Sequence, residues 1–274
     1  MNVRALIVGS TIALTPSIVT AAPVVFSGSA GTPGALAGTV DAYRDALGAL
    51  NAPEPVNNPD GRRQIDWDAA PDAISDPNAF PGDFFNGDAA PRARGIEFQE
   101  TNGTTGFALS ANDGVAPVRF GQPDQFTAFS EQRLFAPLGG TTFDVKFFDP
   151  VDQTTPATTR GLGVVFTDVE VVGSTTMTFF DIDDNELLSL VAPVGENGDL
   201  SFTGAVFDQA EVFRVAIMAG MSPIDGPAGE IFDVVAMDDF IFGEMSPVPL
   251  PASVLLMGAG IAGLGALRRL QRRA

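Results

Sequence analysis

The pattern of apolar and polar residues after Gly95 restricts the fold more than any other feature of the sequence. Short runs of alternating apolar and polar residues are separated there by turn-forming residues, as in IEFQE, VRFG, FTAFS, TTFDVKFFD and TMTFFDI. A period of two is typical of half-buried β-strands. About ten such runs joined by short turns favour antiparallel pairing in two packed sheets. The sequence therefore predicts a mainly β protein, with a jelly-roll-like antiparallel β-sandwich over residues 95–244.

Residues 22–94 have a different composition. A candidate strand at 24–26 precedes apolar residues that recur at helical spacing over 40–50, with Thr39 as the cap. The stretch 51–95 holds seven prolines together with many Asp, Asn and Gly residues. We therefore expect one short helix followed by long loops, all packed on the β-sandwich.

The acidic character of the chain excludes one class of partner. The formal net charge is −19, from 34 acidic and 15 basic residues. All 34 acidic residues lie within 41–244, where only 10 basic residues accompany them. A nucleic-acid-binding surface needs an excess of Lys and Arg to displace the counterions of the phosphate backbone. We therefore expect no nucleic-acid partner.

The chain contains neither His nor Cys. Their absence removes the usual bases, nucleophiles and ligands of Ser-His-Asp triads, cysteine enzymes, zinc sites, haem sites and iron–sulfur clusters. What remains is acid–base catalysis by carboxylates and the binding of a hard cation such as Ca²⁺ by oxygen ligands. Lys146 is the only lysine, so any Schiff-base chemistry would depend on it alone.

The first residues have the layout of a secretory signal peptide. Arg4 precedes an apolar stretch over 5–19, and small residues follow up to Ala21. Cleavage after Ala21 keeps Pro23 away from the scissile bond. We therefore predict that residues 1–21 are a signal peptide that directs export.

The C-terminus predicts a membrane helix. Residues 252–267 form a run of 16 residues without a charge. A helix of that length spans about 24 Å, less than the hydrocarbon core of about 30 Å, and thinning of the bilayer accommodates the difference. The run ends at four arginines that favour a cytoplasmic tail tip, namely Arg268, Arg269, Arg272 and Arg273. We predict a linker over 245–252 and a transmembrane helix with an Arg-rich tail over 253–274.

Val248, Pro249, Leu250, Pro251 and Ala252 stand directly before this helix. Together with the helix and the arginines they resemble the PEP-CTERM type of sorting signal, in its VPLPA variant. The resemblance implies that an exosortase-type enzyme of a Gram-negative bacterium recognises these five residues and processes the protein, so that they are not catalytic here. The pieces GRRQIDWDAAPD and PGDFFN also resemble a recurrent kind of secreted bacterial β-sandwich protein, which implies no activity.

Two acidic motifs are candidate Ca²⁺ sites, and DIDDNE is the first. Asp181, Asp183 and Asn185 have the alternate spacing that opens a calcium loop, but Glu186 stands where an EF-hand requires Gly. The motif lies between two predicted strands. A solvated hairpin turn is therefore the favoured interpretation, and a Ca²⁺ site is the alternative.

The second motif is AMDDFIFGE. Asp238 and Asp239 occupy consecutive positions of the last predicted strand, so their side chains are expected on opposite faces. One of them would then face the interior, where a carboxylate requires a cation or hydrogen bonds. A structural Ca²⁺ at this place and an edge-strand charge that discourages aggregation are equally supported alternatives.

The motif GRRQIDWD offers Arg62, Arg63, Asp66, Trp67 and Asp68. One hypothesis is a polar site in which the indole ring is a platform for a sugar. The favoured one is a Trp that anchors the long loop to the core with Arg–Asp pairs around it, because large aromatic side chains are mostly buried.

These observations predict an exported, non-catalytic protein of the cell surface or extracellular matrix, anchored in the membrane and sorted by an exosortase. An association with extracellular polysaccharide belongs to the same hypothesis. The first alternative is a carbohydrate-binding module assisted by Ca²⁺. The second, less favoured, is a carboxylate-based glycoside hydrolase, which requires a cleft with two facing acids, and no such pair is singled out by the sequence.

Overall fold

The structure is a computed structural model that describes residues 21–111, 118–122, 124–227 and 232–249. Within these ranges it is mainly β and contains one α-helix. The predicted signal peptide, apart from Ala21, and the predicted transmembrane helix lie outside them. In the part of the chain that the structure describes, no helix is both long and apolar enough to cross a membrane.

The described part contains fourteen strands and the helix α1, which spans Pro33–Leu47. In chain order the strands are β1 (Val24–Ala30), β2 (Arg62–Ile65), β3 (Ile96–Glu100), β4 (Gly106–Leu109), β5 (Phe135–Leu138), β6 (Thr142–Phe147), β7 (Ala157–Thr158), β8 (Gly161–Thr167), β9 (Thr176–Phe180), β10 (Glu186–Val191), β11 (Leu200–Val206), β12 (Arg214–Met218), β13 (Ala236–Gly243) and β14 (Ser246–Pro247).

Two large antiparallel sheets form the body. The seven-stranded sheet has the order β1-β11-β8-β13-β5-β4, and β2 also pairs with β13. The five-stranded sheet has the order β10-β9-β12-β6-β3, while β14 and β7 form a small separate sheet. The segment 22–94 therefore contributes two strands, β1 and β2, to the larger sheet in addition to the helix and loops.

The two large sheets share one hydrophobic core around Trp67, the only tryptophan of the chain. Its indole stacks on the Phe135 ring, with 4.5 Å between centroids and 4° between planes. Phe80 and Phe240 meet the indole edge-on, at 84° and 89°. Trp67 is 1% exposed, which confirms that it anchors the long loop to the core and contradicts its use as a sugar platform.

α1 covers the face of the seven-stranded sheet that lies opposite this shared core. Its buried side chains, Leu36, Val40, Tyr43 and Leu47, recur at helical spacing and form a second cluster with residues of β8, β11 and β13. Gly163 of β8 makes the close approach possible, since a Cβ there would lie only 2.7 Å from the Tyr43 ring.

The helix begins earlier than predicted. Thr32, not Thr39, is the N-cap: its side chain accepts a hydrogen bond from the N–H of Ala35, and Pro33 follows at the start of the helix. The helix ends at Gly48, whose positive φ of 104° favours glycine. Leu50 lies beyond this end and is exposed.

Two of the predicted strands are not strands. Residues 118–121 form a short 3-10 turn, with Arg119 and Phe120 at positive φ. Residues 126–130 lie in a loop, because the N–H groups of Phe129 and Ser130 donate to a carboxylate instead of to a neighbouring strand. Conversely, β2 and β5 were not expected, since neither RRQI nor FAPL alternates between apolar and polar residues.

Candidate functional site

The structure brings the motifs GRRQIDWD and AMDDFIFGE together. β2 pairs antiparallel with the second half of β13, which places Ile65 opposite Phe240. The residues that follow β2 therefore lie beside the first half of β13. The Trp67 indole N–H donates to the carbonyl oxygen of Asp238 at 2.6 Å, across 171 positions of sequence. Two separate predicted sites are thus one region of the molecule.

Asp238 and Asp239 form a β-bulge in β13. The register with β8 shifts between Met237 and Phe240, so that two residues of β13 face one residue of β8. The expectation that the two side chains point to opposite faces is wrong, because both carboxylates reach the same hydroxyl, that of Ser130. Both residues are buried. We refer to Asp238, Asp239, Ser130 and Arg44 as the bulge site.

The oxygens of the bulge site are fully engaged. One Asp238 oxygen accepts from the N–H groups of Phe129 at 2.6 Å and Ser130 at 3.1 Å. The other lies 2.7 Å from the Ser130 Oγ, and an Asp239 oxygen lies 2.9 Å from the same Oγ. Arg44 Nη2 pairs with the second Asp239 oxygen at 2.7 Å.

The Ser130 hydroxyl lies between the two carboxyl groups of this site. Ser130 has one hydroxyl hydrogen, so it donates to only one of the two carboxylates, and the other contact requires a proton on a carboxyl group. Burial raises the pKa of Asp238 well above its usual range, and the charge of Asp239 raises it further, against the hydrogen bonds from Ser130 and Phe129. Burial also raises the pKa of Asp239, while Ser130 and the Arg44 guanidinium oppose that shift. The pKa of Asp238 is therefore raised more than that of Asp239, which has the Arg44 guanidinium beside it.

Asp68 extends the acidic region beyond the bulge site. Partial burial raises its pKa to about 6, against the hydrogen bond from the N–H of Arg133 at 3.2 Å, and the charges of Asp66 and Asp239 add to the rise. The guanidinium of Arg133 is itself buried and pairs with Asp72 at 2.5 Å. The Asp68 carboxyl therefore takes up a proton as the pH falls through about 6.

Arg63 does not pair with an Asp of its own motif. Its buried guanidinium binds the Glu244 carboxylate through Nε at 2.9 Å and through Nη2 at 2.7 Å. Asn51 Nδ2 donates to the same carboxylate at 2.7 Å. This ion pair joins β2 to the end of β13, and the predicted Arg–Asp pairs around Trp67 are corrected in this respect.

The motif DIDDNE forms the hairpin turn between β9 and β10, as the favoured interpretation predicted. One Asp181 oxygen accepts from the N–H groups of Asp183 and Asn185, both at 2.9 Å, and the other accepts from Asn185 Nδ2 at 2.9 Å. Desolvation alone would raise the pKa of Asp181, but the hydrogen bonds from Asn185 and Asp183 outweigh it and lower that pKa. The turn lies in solvent.

The calcium hypothesis gains no support from this geometry. The carboxylate oxygens of Asp181, Asp238 and Asp239 already accept hydrogen bonds or an ion pair. Within the described ranges, no three acidic side chains converge closely enough to hold a metal ion. Ca²⁺ binding, which takes about six to eight oxygen ligands, stays a prediction for these residues.

Two buried acids were not singled out by the sequence. Asp168 accepts hydrogen bonds from the N–H of Gly198 and from Gln125 Nε2, both at 2.7 Å, and burial raises its pKa. One oxygen of Asp233 accepts from the N–H of Glu170 at 2.8 Å, and the other is buried without a partner among the described residues. Each was hidden in the sequence because its partners come from other parts of the chain.

A cavity of about 670 Å³ lies beside β14, between the loops 57–61, 208–210 and 244–247. Three acids line it, but the Glu244 carboxylate is committed to Arg63 and Asn51. The hydrolase alternative therefore has only Asp60 and Asp208 as acid and base at this place.

The described residues include the first two residues of the VPLPA motif, Val248 and Pro249. β14 pairs with β7, and the N–H of Val248 donates to the carbonyl oxygen of Pro156 at 2.9 Å. Pro249 is exposed. The other residues of the motif and the four terminal arginines lie outside the described residues.

Comparison of the chain with protein-family models and with curated proteins finds no match. The function is therefore inferred from the residues and their geometry.

Proposed function

We propose that this chain is an exported, exosortase-sorted protein of the cell surface or extracellular matrix, with a non-catalytic, jelly-roll-like β-sandwich as its body. The observation that carries the proposal is the order of elements at the C-terminus: a closed β body, the sequence VPLPA, an uncharged run of 16 residues and an arginine cluster. The same reasoning assigns residues 253–274 to a transmembrane helix and an Arg-rich cytoplasmic tail.

The junction between body and motif supports this proposal. β14 forms backbone hydrogen bonds with β7, and the N–H of Val248 donates to the carbonyl oxygen of Pro156, the residue before β7. The next residue, Pro249, is exposed. The two prolines in the sequence of the motif favour an extended segment with few internal hydrogen bonds. A processing enzyme would therefore meet an extended segment held against a folded domain.

A non-catalytic role is supported by the way the buried acids are used. The Glu244 carboxylate is neutralised by Arg63, and the Asp238 and Asp239 carboxylates are satisfied by Ser130 and Arg44. The Arg63–Glu244 pair joins β2 to the end of β13, and the contacts of Asp238 and Asp239 join β13 to the loop at Ser130 and to α1. These acids therefore have a structural use. The chain also lacks His and Cys, the most versatile catalytic side chains.

The test is intact-mass analysis of the envelope and secreted fractions from host cells with and without the exosortase. We expect a mass that lacks residues 253–274 only when the exosortase is present. A Pro251→Ala change in the motif should reduce this processing, whereas Pro247→Ala, the same chemical change just outside the motif, should leave it intact. A mass that still includes residues 253–274 in both strains would contradict the proposal.

A further inference from the structure

A second cavity, of about 230 Å³, lies between the residues that follow β2 and the loop over 84–94. Trp67 and Phe85, both core residues, line it together with Phe84, and most of its lining is apolar. Only three charged residues line it, Asp66, Arg92 and Arg94. Apolar walls with a few charged groups at defined positions are typical of small-molecule sites.

The two arginines are held over aromatic rings with donors to spare. Arg92 Cζ lies 4.9 Å from the centroid of Phe84, and Arg94 Cζ lies 5.0 Å from that of Phe85. Arg92 Nε donates to the Phe84 carbonyl oxygen at 3.0 Å, which fixes the side chain. Both terminal nitrogens of Arg92 and Nη2 of Arg94 have no hydrogen-bond acceptor within the described part of the chain. Their positions are set by other contacts, so these nitrogens are available to a ligand.

The charge and the lining together indicate the chemistry of the ligand. Guanidinium donors match a carboxylate, which binds Arg in a bidentate manner. Burial lowers the pKa of Arg94, against the attraction of Asp66, which is consistent with a guanidinium that has lost part of its hydration and gains from an anionic partner. A sugar is disfavoured, because the apolar walls would leave its hydroxyl groups without partners.

The size of the cavity suits a ligand with one ring. A protein cavity of about 150 Å³ accommodates benzene. The cavity here, at about 230 Å³, has room for one ring and a short acidic arm.

We propose that this cavity binds a small carboxylate with a single aromatic or alicyclic ring. The ring lies against Phe84 and Phe85, and the carboxylate lies on the guanidinium groups of Arg92 and Arg94. The site does not depend on the sorting function proposed above, and it adjoins the bulge site through Trp67, whose indole N–H donates to the Asp238 carbonyl oxygen.

The sole tryptophan gives a direct readout, because Trp67 lines the cavity. The probe is phenylacetate, titrated into the protein while Trp67 emission and, separately, the heat of binding are measured. We expect saturable binding of phenylacetate and at least tenfold weaker binding of 2-phenylethanol, which keeps the ring, and of acetate, which keeps the carboxylate.

Two arginine variants distinguish binding of phenylacetate in the cavity from a general effect of the protein's charge on its affinity. Arg92→Gln should weaken phenylacetate binding at least tenfold, since Arg92 is exposed and its loss leaves the core intact. The matched control is Arg214→Gln, which removes an Arg–Phe stack at Phe180, with Cζ 3.9 Å from the ring centroid, away from the cavity. It should leave the affinity unchanged.

Three results would overturn the proposal. One is no saturation by either method up to about 10 mM, tenfold above a millimolar dissociation constant. Another is equal affinity for phenylacetate and 2-phenylethanol. The third is an equal loss of affinity in the two arginine variants.

Discussion

The bulge site and the DIDDNE turn present the same kinds of side chain in opposite surroundings. Asp181 lies in solvent and receives three hydrogen bonds from its own turn. Asp238 is fully buried, and its hydrogen bonds come from residues 108 and 109 positions away. The pKa of Asp181 is lowered, and that of Asp238 is raised. The role of an acidic motif thus depends on its surroundings. The exposed motif stabilises its own turn through local hydrogen bonds, whereas the buried motif connects segments that are distant in sequence.

The largest expected difference is in the free energy of unfolding. Asp238→Ala leaves two backbone N–H groups and a hydroxyl without their acceptor in a buried place, so we expect a loss of about 2–4 kcal/mol. Asp181→Ala exposes its donors to water, and we expect a loss of about 0.5–1 kcal/mol. Urea unfolding followed by Trp67 fluorescence measures both. Equal losses would mean that the buried contacts contribute no more than the exposed ones.

The cation beside each motif provides the second contrast. Arg44→Met leaves the 2% exposed Asp239 carboxylate without its ion-pair partner, and we expect a loss of about 2 kcal/mol, limited by protonation of Asp239. Arg214 pairs with Asp184 of the turn, whose side chain is 73% exposed, and with Asp144 at 3.1 Å, whose side chain is 14% exposed. Because Arg214 itself is partly exposed, Arg214→Met should cost about 1 kcal/mol. The same urea experiment compares the two variants, and a larger loss for Arg214→Met would reverse the ranking of the two regions.

The dependence of stability on pH should have opposite signs in the two regions. A carboxyl whose pKa is raised by folding stabilises the folded state fully below about pH 4, and this stabilisation is lost as pH rises through the folded value. That value is about 6 for Asp68, and the pKa of Asp238 is also raised. For Asp181, whose pKa is lowered, the stabilisation is present above about pH 4 and is lost as pH falls.

Thermal unfolding between pH 3 and pH 8 tests this sign. Asp68→Asn should flatten the decrease in stability between about pH 4 and pH 6. Asp181→Asn should reduce only the loss of stability that occurs as the pH falls below about 4. An Asp68→Asn protein with an unchanged profile above pH 4 would show that the acidic region does not hold extra protons.

Most of the strands were predictable because alternation is a local property. IEFQE, TTFDVKFFD and TMTFFDI became β3, β6 and β9, with their apolar residues in the shared core. The two errors, at 118–121 and 126–130, concern short runs whose backbone groups are bound by turns and side chains. β2 was missed because its Arg63 looks like a surface residue, whereas in the fold it is buried and paired with the Glu244 carboxylate. The anchoring role of Trp67 followed from its size and was confirmed.

The candidate sites were less predictable, for a physical reason. The sequence could identify Asp238 and Asp239 as unusual in a strand, but the bulge that turns both to one side depends on pairing with β8. Ser130 and Arg44 belong to a loop and a helix far away in sequence, and no local pattern connects them to β13. The sequence likewise gave no indication that the two arginines of the 230 Å³ cavity share a site, because the cavity forms only between the loop over 84–94 and the residues that follow β2.

The sequence by itself determined the class of fold, the acidic charge and the narrow range of available chemistry, because strand periodicity and residue composition act locally or additively. Only the tertiary structure decided which acids are buried, which are paired and which lie in water. Burial and charge pairing depend on segments that meet after long separations in sequence, and the energy of a carboxylate changes more with those neighbours than with its own identity.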